Sequence, residues 1–294
     1  MPTLLTLDPR LYQIAFLSSF LMLGLLTRDW TLHPEIIATA IVTTLLTQGF
    51  FLWQTAPPGL TDPAEFTKPT KISIDSFYSP MITALGLSLL LRVEQPWVMA
   101  LAAALAMSSK FLLRFNEKHI FNPGNFGIVC ALCLTQGAWV SPGQWGESAW
   151  LVAIFLFCGG FVLKRVGRWD TTIAFLAFYL ALEAMRNLYL GWTWDVWGHR
   201  MMNGSLVMFS LFMITDPRTI PNARVARILW AFSIALLTFW IRNTFFINTA
   251  VFWALFCLAP LTPLLDWLFK SDRFTWRFPD AEIPATAIPA VSHE

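Results

Sequence analysis

The sequence predicts an all-α polytopic membrane protein of about ten transmembrane helices, arranged as two inverted five-helix repeats. Three observations predict it. Composition is the first: 56% of residues are hydrophobic, 13% are charged and mean hydropathy is +0.57, where a soluble domain carries about 25% charge. The second is a series of apolar segments at roughly 11–27, 36–54, 79–91, 96–114, 124–138, 147–163, 171–190, 201–215, 227–241 and 245–265. Each approaches the ~20 residues that cross a bilayer, or falls short in the way of a broken helix. The third is charge asymmetry. With the N-terminus inside and the spans alternating, five of the 20 Lys and Arg fall outside (Arg28, Arg92, Arg186, Arg200 and Arg242) and the other fifteen inside. That is a positive-inside bias. It places the chain in the cell inner (plasma) membrane with both termini cytoplasmic.

The elements follow in order. Arg10 precedes the first apolar run without a small-residue cleavage site, so no cleavable signal peptide is expected. Pro57-Pro58-Gly59 and the stretch to Asp75 read as one polar loop. The third, fifth and eighth segments are short or begin on polar residues, which marks them as broken or re-entrant helices. Lys110 and Arg114 lie one turn apart at the inner end of the fourth, where both can snorkel. Cys130-Ala-Leu-Cys133 has metal or redox spacing, but no second Cys or His pair is near in sequence, which favours two small apolar helix residues. In the seventh segment Glu183 and Arg186 stand at i, i+3 and are expected to pair. Trp192, Trp194 and Trp197, with Trp139, Trp145 and Trp150, read as an aromatic belt against membrane lipid. His199-Arg200 is too isolated for a metal site. Residues 1–266 form a single transmembrane domain, and 267–294 a cytoplasmic tail that is partly disordered.

The repeats, about 11–138 and 147–265, rest on short echoes. Leu113-Arg114-Phe115-Asn116 with Ile120-Phe121-Asn122 matches Ile241-Arg242-Asn243 with Phe246-Ile247-Asn248. Ser79-Pro80 to Leu91 matches Asn203-Gly204 to Thr215 in character. Five spans per half is odd, so the halves have opposite topology, with function expected near their interface.

Two patches carry the chemistry. Asn122-Pro123-Gly124-Asn125 brings a helix-breaking Pro-Gly and two amides to membrane depth. Such backbone survives in a bilayer only where protein buries it or it lines a cavity. Asn122 caps the fifth helix, and the same N-terminus can hold an electron-rich ligand. Gly124 suggests close approach of another backbone or of a flat ligand. Asp216-Pro217, followed by Thr219, is either a capped helix stop or a buried acceptor. No Gly-rich phosphate loop, HExxH or nucleophile elbow occurs, and no basic patch points to nucleic acid. The broken helices and the inverted repeat fit a transporter or channel for a small polar solute.

Several residues resemble the RnfD/NqrB family. They are Asp75-Ser76, Ser79-Pro80 to Leu85, Pro96-Trp97-Val98-Met99, Lys110 and Phe121-Asn122-Pro123. Further on come Met202-Asn203-Gly204-Ser205, Thr215-Asp216-Pro217-Arg218-Thr219, Leu237 to Arg242 and Leu261 to Asp266. The resemblance runs from about 75 to 266. It implies a flavin-carrying electron-transfer subunit of an ion-pumping complex, with other redox subunits or a soluble electron donor as partners. It also implies a noncovalent riboflavin or FMN near Asn122, Pro123 and Asn125, with Asp216 and Thr219 closing the site. The family's covalent FMN hangs from a Thr in the outer loop after the fifth span. That loop is Gly137 to Ser148 in this chain and contains no Thr, so no covalent FMN is expected.

Overall fold

The computed structural model describes residues 8–26, 31–55, 74–143 and 149–275. Most of the polar loop before Asp75, Trp145, Ser148 and the end of the tail lie outside them. The described chain is helical nearly throughout, because long apolar runs in a bilayer satisfy their backbone groups only within themselves.

Helices α1 (Pro9–Leu26) and α2 (Pro34–Gln54) come first, the second starting on Pro34 with Glu35 in its first turn. Both features suit a helix N-terminus. A 3-10 turn at Ile74–Phe77 leads into α3 (Tyr78–Leu90), which runs straight into a short strand, β1 (Leu91–Val93). After α4 (Pro96–Leu112) the chain forms a hairpin of β2 (Arg114–Phe115) and β3 (Lys118–His119). Its two turn residues, Asn116 and Glu117, have φ of 48° and 61°, the pattern of a two-residue I′ turn. Then come α5 (Pro123–Leu134) and β4 (Ala138–Val140), which pairs antiparallel with β1, Leu91 opposite Val140 and Val93 opposite Ala138. The expected outer loop is therefore in part a strand.

The second half holds α6 (Ala149–Val166), α7 (Trp169–Tyr189), a short α8 (Trp194–Met201) and α9 (Gly204–Met208). α9 passes into a π-helical turn at Phe209–Met213. α10 (Arg224–Thr244) follows, then α11 (Ala250–Leu258), a 3-10 turn at Ala259–Leu261 and α12 (Thr262–Leu268). The last apolar segment is thus broken at Pro260, which has no N–H to give. Among the described residues four helical stretches are long and apolar enough to cross a membrane: Pro9–Leu26, Pro34–Gln54, Arg224–Thr244 and Ala250–Leu268.

Packing is pairwise. α2 lies against α3 and α4, α4 against α5, and α1 against α3. In the second half α7 lies against α10 and α10 against α11, while α5 meets α11 between the halves. A close seam joins α4 to α5, where Ala102, Ala103 and Ala106 are fully buried. Small residues let membrane helices approach closely. A Cβ on Gly127 would lie 2.6 Å from the Ala102 carbonyl oxygen and 2.9 Å from the Ala106 Cβ. Gly124, by contrast, has ordinary clearance, its nearest neighbour being 3.5 Å away. The close backbone approach expected at Gly124 is found at Gly127. Overpacking costs typically 1–3 kcal/mol, so Gly127→Ala will lower the unfolding temperature in detergent. Gly160→Ala, with nothing within 4 Å, will leave it unchanged. Equal melting of the two variants would contradict the seam.

Charged groups gather in buried networks. Lys118 Nζ donates to Asp266 Oδ2 at 2.6 Å and also to the Ile220 carbonyl, while Asp266 Oδ1 accepts from the Asn222 N–H at 2.7 Å. Burial depresses the Lys118 pKa, and Asp266 offsets part of that. Arg227 Nη2 sits 2.6 Å from Asp170 Oδ2, both side chains more than nine-tenths buried. Glu183 does not pair with Arg186. Its carboxylate lies 3.3 Å from Arg200 Nε and accepts from Asn243 Nδ2 at 3.1 Å. The Arg186 guanidinium lies over the Trp192 ring at 4.7 Å. The i, i+3 geometry lost to partners on α8 and α10 because Glu183 faces inward, 2% exposed.

Candidate functional site

One cavity of about 510 Å³ dominates the described residues. Its walls come from α1, α2, α3, the end of α4, the β2–β3 hairpin, the start of α5, α6 and the stretch from Met208 to Arg218. Apolar groups such as Leu17, Ile82, Leu163 and Phe212 make up much of the lining. Asn122 and Asp216 make one polar side of it.

Asn122 and Asp216 meet on that side. The extended backbone at Asn122 ends the hairpin, and Pro123 starts α5 at N1. The Asn122 Oδ1 accepts the Asn125 N–H at 3.0 Å, a side-chain cap. Its Nδ2 donates to Asp216 Oδ2 at 3.2 Å and to the Met213 carbonyl at 3.4 Å. Asp216 in turn accepts the Arg218 N–H on Oδ1 at 3.1 Å, closing the turn around Pro217. Burial raises the Asp216 pKa, opposed by the Arg218 N–H, the Arg218 charge and the Asn122 hydrogen bond. The two sequence patches, 94 residues apart, are therefore hydrogen-bonded to each other.

Asn122, Pro123 and Asp216 line the cavity; Asn125 and Thr219 do not. Asn125 is buried behind it and donates from Nδ2 to the Phe252 carbonyl at 3.1 Å, tying α5 to α11. Thr219 donates from Oγ1 to the Asp216 carbonyl at 3.2 Å and so supports the turn.

The cavity also holds residues that the sequence does not single out for it. Lys110 does not snorkel. It is 8% exposed, and its Nζ donates to Gln48 Oε1 at 3.0 Å and Ser79 Oγ at 3.2 Å. Partners on α2 and α3 turn it inward, and spacing along α4 alone could not show them. His119 is 5% exposed, and neither ring nitrogen has a hydrogen-bond partner among the described residues. Burial first, then the charges of Arg218, Lys110 and Arg114, depress its pKa to about 3. It is neutral at physiological pH, with one N–H donor and one acceptor to offer. The one available signal for His119 was its place three residues before Asn122.

The remaining sequence candidates lie elsewhere. Cys130 is half-buried and Cys133 exposed on α5, and among the described residues no cluster of His, Cys, Asp or Glu could hold a metal ion. Ser141 is buried, its N–H donating to the Leu90 carbonyl at 2.8 Å.

Comparison with known proteins adds the family. Residues 130–275 match the NQR2, RnfD, RnfE family. The chain is also 30% identical over 128 residues to a subunit of the ion-translocating oxidoreductase complex of Stutzerimonas stutzeri. That alignment takes in 43% of this chain and 35% of the relative, so the chain spans about a third of the length of the curated relative it matches. The family match begins within α5 rather than near residue 75. Asp216 and Thr219 fall inside it, and Asn122, Pro123 and Asn125 just before it. The stretch from the middle of α5 to α12 and just beyond, residues 130–275, is thus the part of the chain that is similar to the NQR2, RnfD, RnfE family.

Proposed function

We propose that the protein is a membrane electron-transfer subunit of an ion-translocating oxidoreductase complex, and that it holds a noncovalent flavin in the 510 Å³ cavity. One observation carries this reading. In a chain similar to this family, the Asn122-Pro123 and Asp216-Pro217 turns meet at one cavity wall. The cavity volume falls within the ~300–1,000 Å³ common for cofactor sites. Its apolar sides suit a flat ring system. The neutral His119, with neither nitrogen partnered, offers a donor and an acceptor to a heterocycle edge. The residues present thus fit the group. When bound, the flavin supplies the redox chemistry; the protein supplies orientation, burial and hydrogen bonds. Asn122 and Asp216 bind from the wall, Asn125 holds α5 in place and Thr219 holds the turn. One flavin does not carry electrons across about 30 Å of hydrocarbon, so other redox subunits or a soluble electron donor complete the path.

The same proposal includes ten spans in two inverted halves. The packing of α2 on α4 and α4 on α5, echoed by α7 on α10 and α10 on α11, supports it. The hairpin and the Lys118–Asp266 pair then face the cytoplasm. Trp139 is exposed on β4, and a Trp139→Cys variant in a cysteine-free background will label from the outer side only. Labelling from the cytoplasmic side alone would overturn this orientation.

The functional test is the visible spectrum of the purified protein. A flavin spectrum that dithionite bleaches is expected. On a denaturing gel under ultraviolet light the band will be dark, with the flavin released into solution. A colourless protein would remove the flavin reading, and a fluorescent band would show a covalent link.

A further inference from the structure

We propose that the cavity binds its ligand through an anionic phosphate, with Lys110 as the counter-charge. The inference begins with an uncompensated cation. The Lys110 ammonium is buried and meets only neutral oxygens, Gln48 Oε1 and Ser79 Oγ. Among the described residues no carboxylate pairs with it. Buried charges in proteins are paired or bind something, and an ionisable group at membrane depth marks a functional site. An ammonium has three donors, and two of these are placed by Gln48 and Ser79.

The charges around it point the same way. Arg114 and Arg218 line the same cavity, and neither pairs with a carboxylate among the described residues. Arg114 Nε donates to the Lys110 carbonyl at 2.6 Å, which holds its guanidinium at the end of α4. Among the described residues the acids of the lining form no ion pair with these three cations, and Asp216 faces Lys110 and Arg218 only at longer range. Asp216 accepts from Asn122 and from the Arg218 N–H. Glu117 lies 3.9 Å from Arg273, and Asp75 is not without partners. A second, independent feature also points to a ligand: His119, nine-tenths buried in the same lining, leaves both ring nitrogens unpartnered. Besides Arg10, which pairs with Asp8, these three cations line the one cavity and match a doubly charged, multi-oxygen group, which lysine binds as a point charge and arginine through its fork. The apolar remainder of the cavity takes the ligand's body. On the flavin reading proposed above, which this inference uses only for the ligand's identity, the ligand is flavin mononucleotide in preference to riboflavin.

The test is equilibrium dialysis of the detergent-purified full chain against flavin mononucleotide and riboflavin. Wild type is expected to bind the phosphorylated flavin at least about tenfold more tightly, since hydrogen bonds to charged groups are the strong ones. Lys110→Met and the exposed Arg218→Gln will shrink that preference to about threefold or less, with riboflavin affinity unchanged. Lys110→Arg will retain most of it. Equal affinity for both flavins in wild type would overturn the proposal, as would equal weakening of both in Lys110→Met. If Lys110→Met does not fold, Arg218→Gln decides alone. If neither flavin binds, the flavin reading fails, and thermal shift with inorganic phosphate against chloride at equal ionic strength judges the anion site separately. Stabilisation by phosphate that is lost in Arg218→Gln supports the site, and no phosphate-specific stabilisation overturns it. Stabilisation by phosphatidylglycerol micelles alone would keep the phosphate contact and assign it to a lipid headgroup.

Discussion

Asn122→Leu will release the bound flavin and lower stability by about 2–4 kcal/mol while the protein still inserts. The estimate adds two losses at one side chain. Removing a helix cap costs about 1 kcal/mol, and the Asn125 N–H would lose the acceptor it has at 3.0 Å. Removing a hydrogen bond to a charged group costs about 1.5–3 kcal/mol, and Asp216 would lose the Nδ2 donor at 3.2 Å. Asn122→Asp separates the two losses. It keeps the capping oxygen but puts a second carboxylate against Asp216, so it should retain the helix and lose the turn-to-turn contact. Asn125→Leu acts differently, because Asn125 reaches Phe252 rather than the cavity. It should reduce stability more than it changes flavin affinity. Flavin content and melting are read on the same preparations. Wild-type flavin content in Asn122→Leu would remove Asn122 from the site.

The other large effect is expected at Arg227. Arg227→Met leaves Asp170 buried with its nearest guanidinium gone. The Asp170 side chain is 8% exposed, and the remaining cation, Arg224, lies 3.8 Å away and is largely in solvent. Breaking a buried pair by removing one partner costs typically 3–5 kcal/mol. The double variant Asp170→Leu with Arg227→Met should recover most of that, because replacing both partners removes two desolvation penalties. Denaturant unfolding in detergent measures both variants. A double variant as unstable as Arg227→Met alone would show that the loss is one of packing rather than of stranded charge.

How far the sequence spoke depended on the range of each interaction. Helical content was legible because a bilayer leaves the backbone few options, and low charge with long apolar runs states that in composition alone. Asn122 was legible as a cap because capping is local: the acceptor and the N–H it serves are three residues apart. The turn at Asp216-Pro217 was local in the same way, whereas the break at Pro260 lay inside a segment read as one span, 245–265. What stayed hidden crosses between helices. Lys110 looked like an interfacial side chain because Gln48, its partner, is 62 residues away. Glu183 looked paired with Arg186 because i, i+3 is the one neighbour relation that a sequence displays. Asn243 and Arg200 reach it from other helices. The I′ hairpin at Asn116-Glu117 was missed for another reason. Glu is not a usual residue at positive φ, and Arg273 approaches its carboxylate only after folding.

The π-helical turn before Asp216 bears on all of this. From Phe209 to Met213 the ladder closes at i→i+5, and the Ile214 N–H reaches the Phe209 carbonyl at 3.0 Å. Such a turn holds one more residue than the α-helical turn that would span the same rise. Counting along the chain therefore decides which way the following side chains face. Relaxing that turn to α with its length unchanged would swing Asp216 about 100° around the helix axis, away from Asn122, whereas relaxation together with deletion of one residue between 209 and 213 would leave it in place. The meeting of the two proline turns is in this sense an insertion phase, and a chain of the same length without the π turn could keep every helix and still not close its cavity.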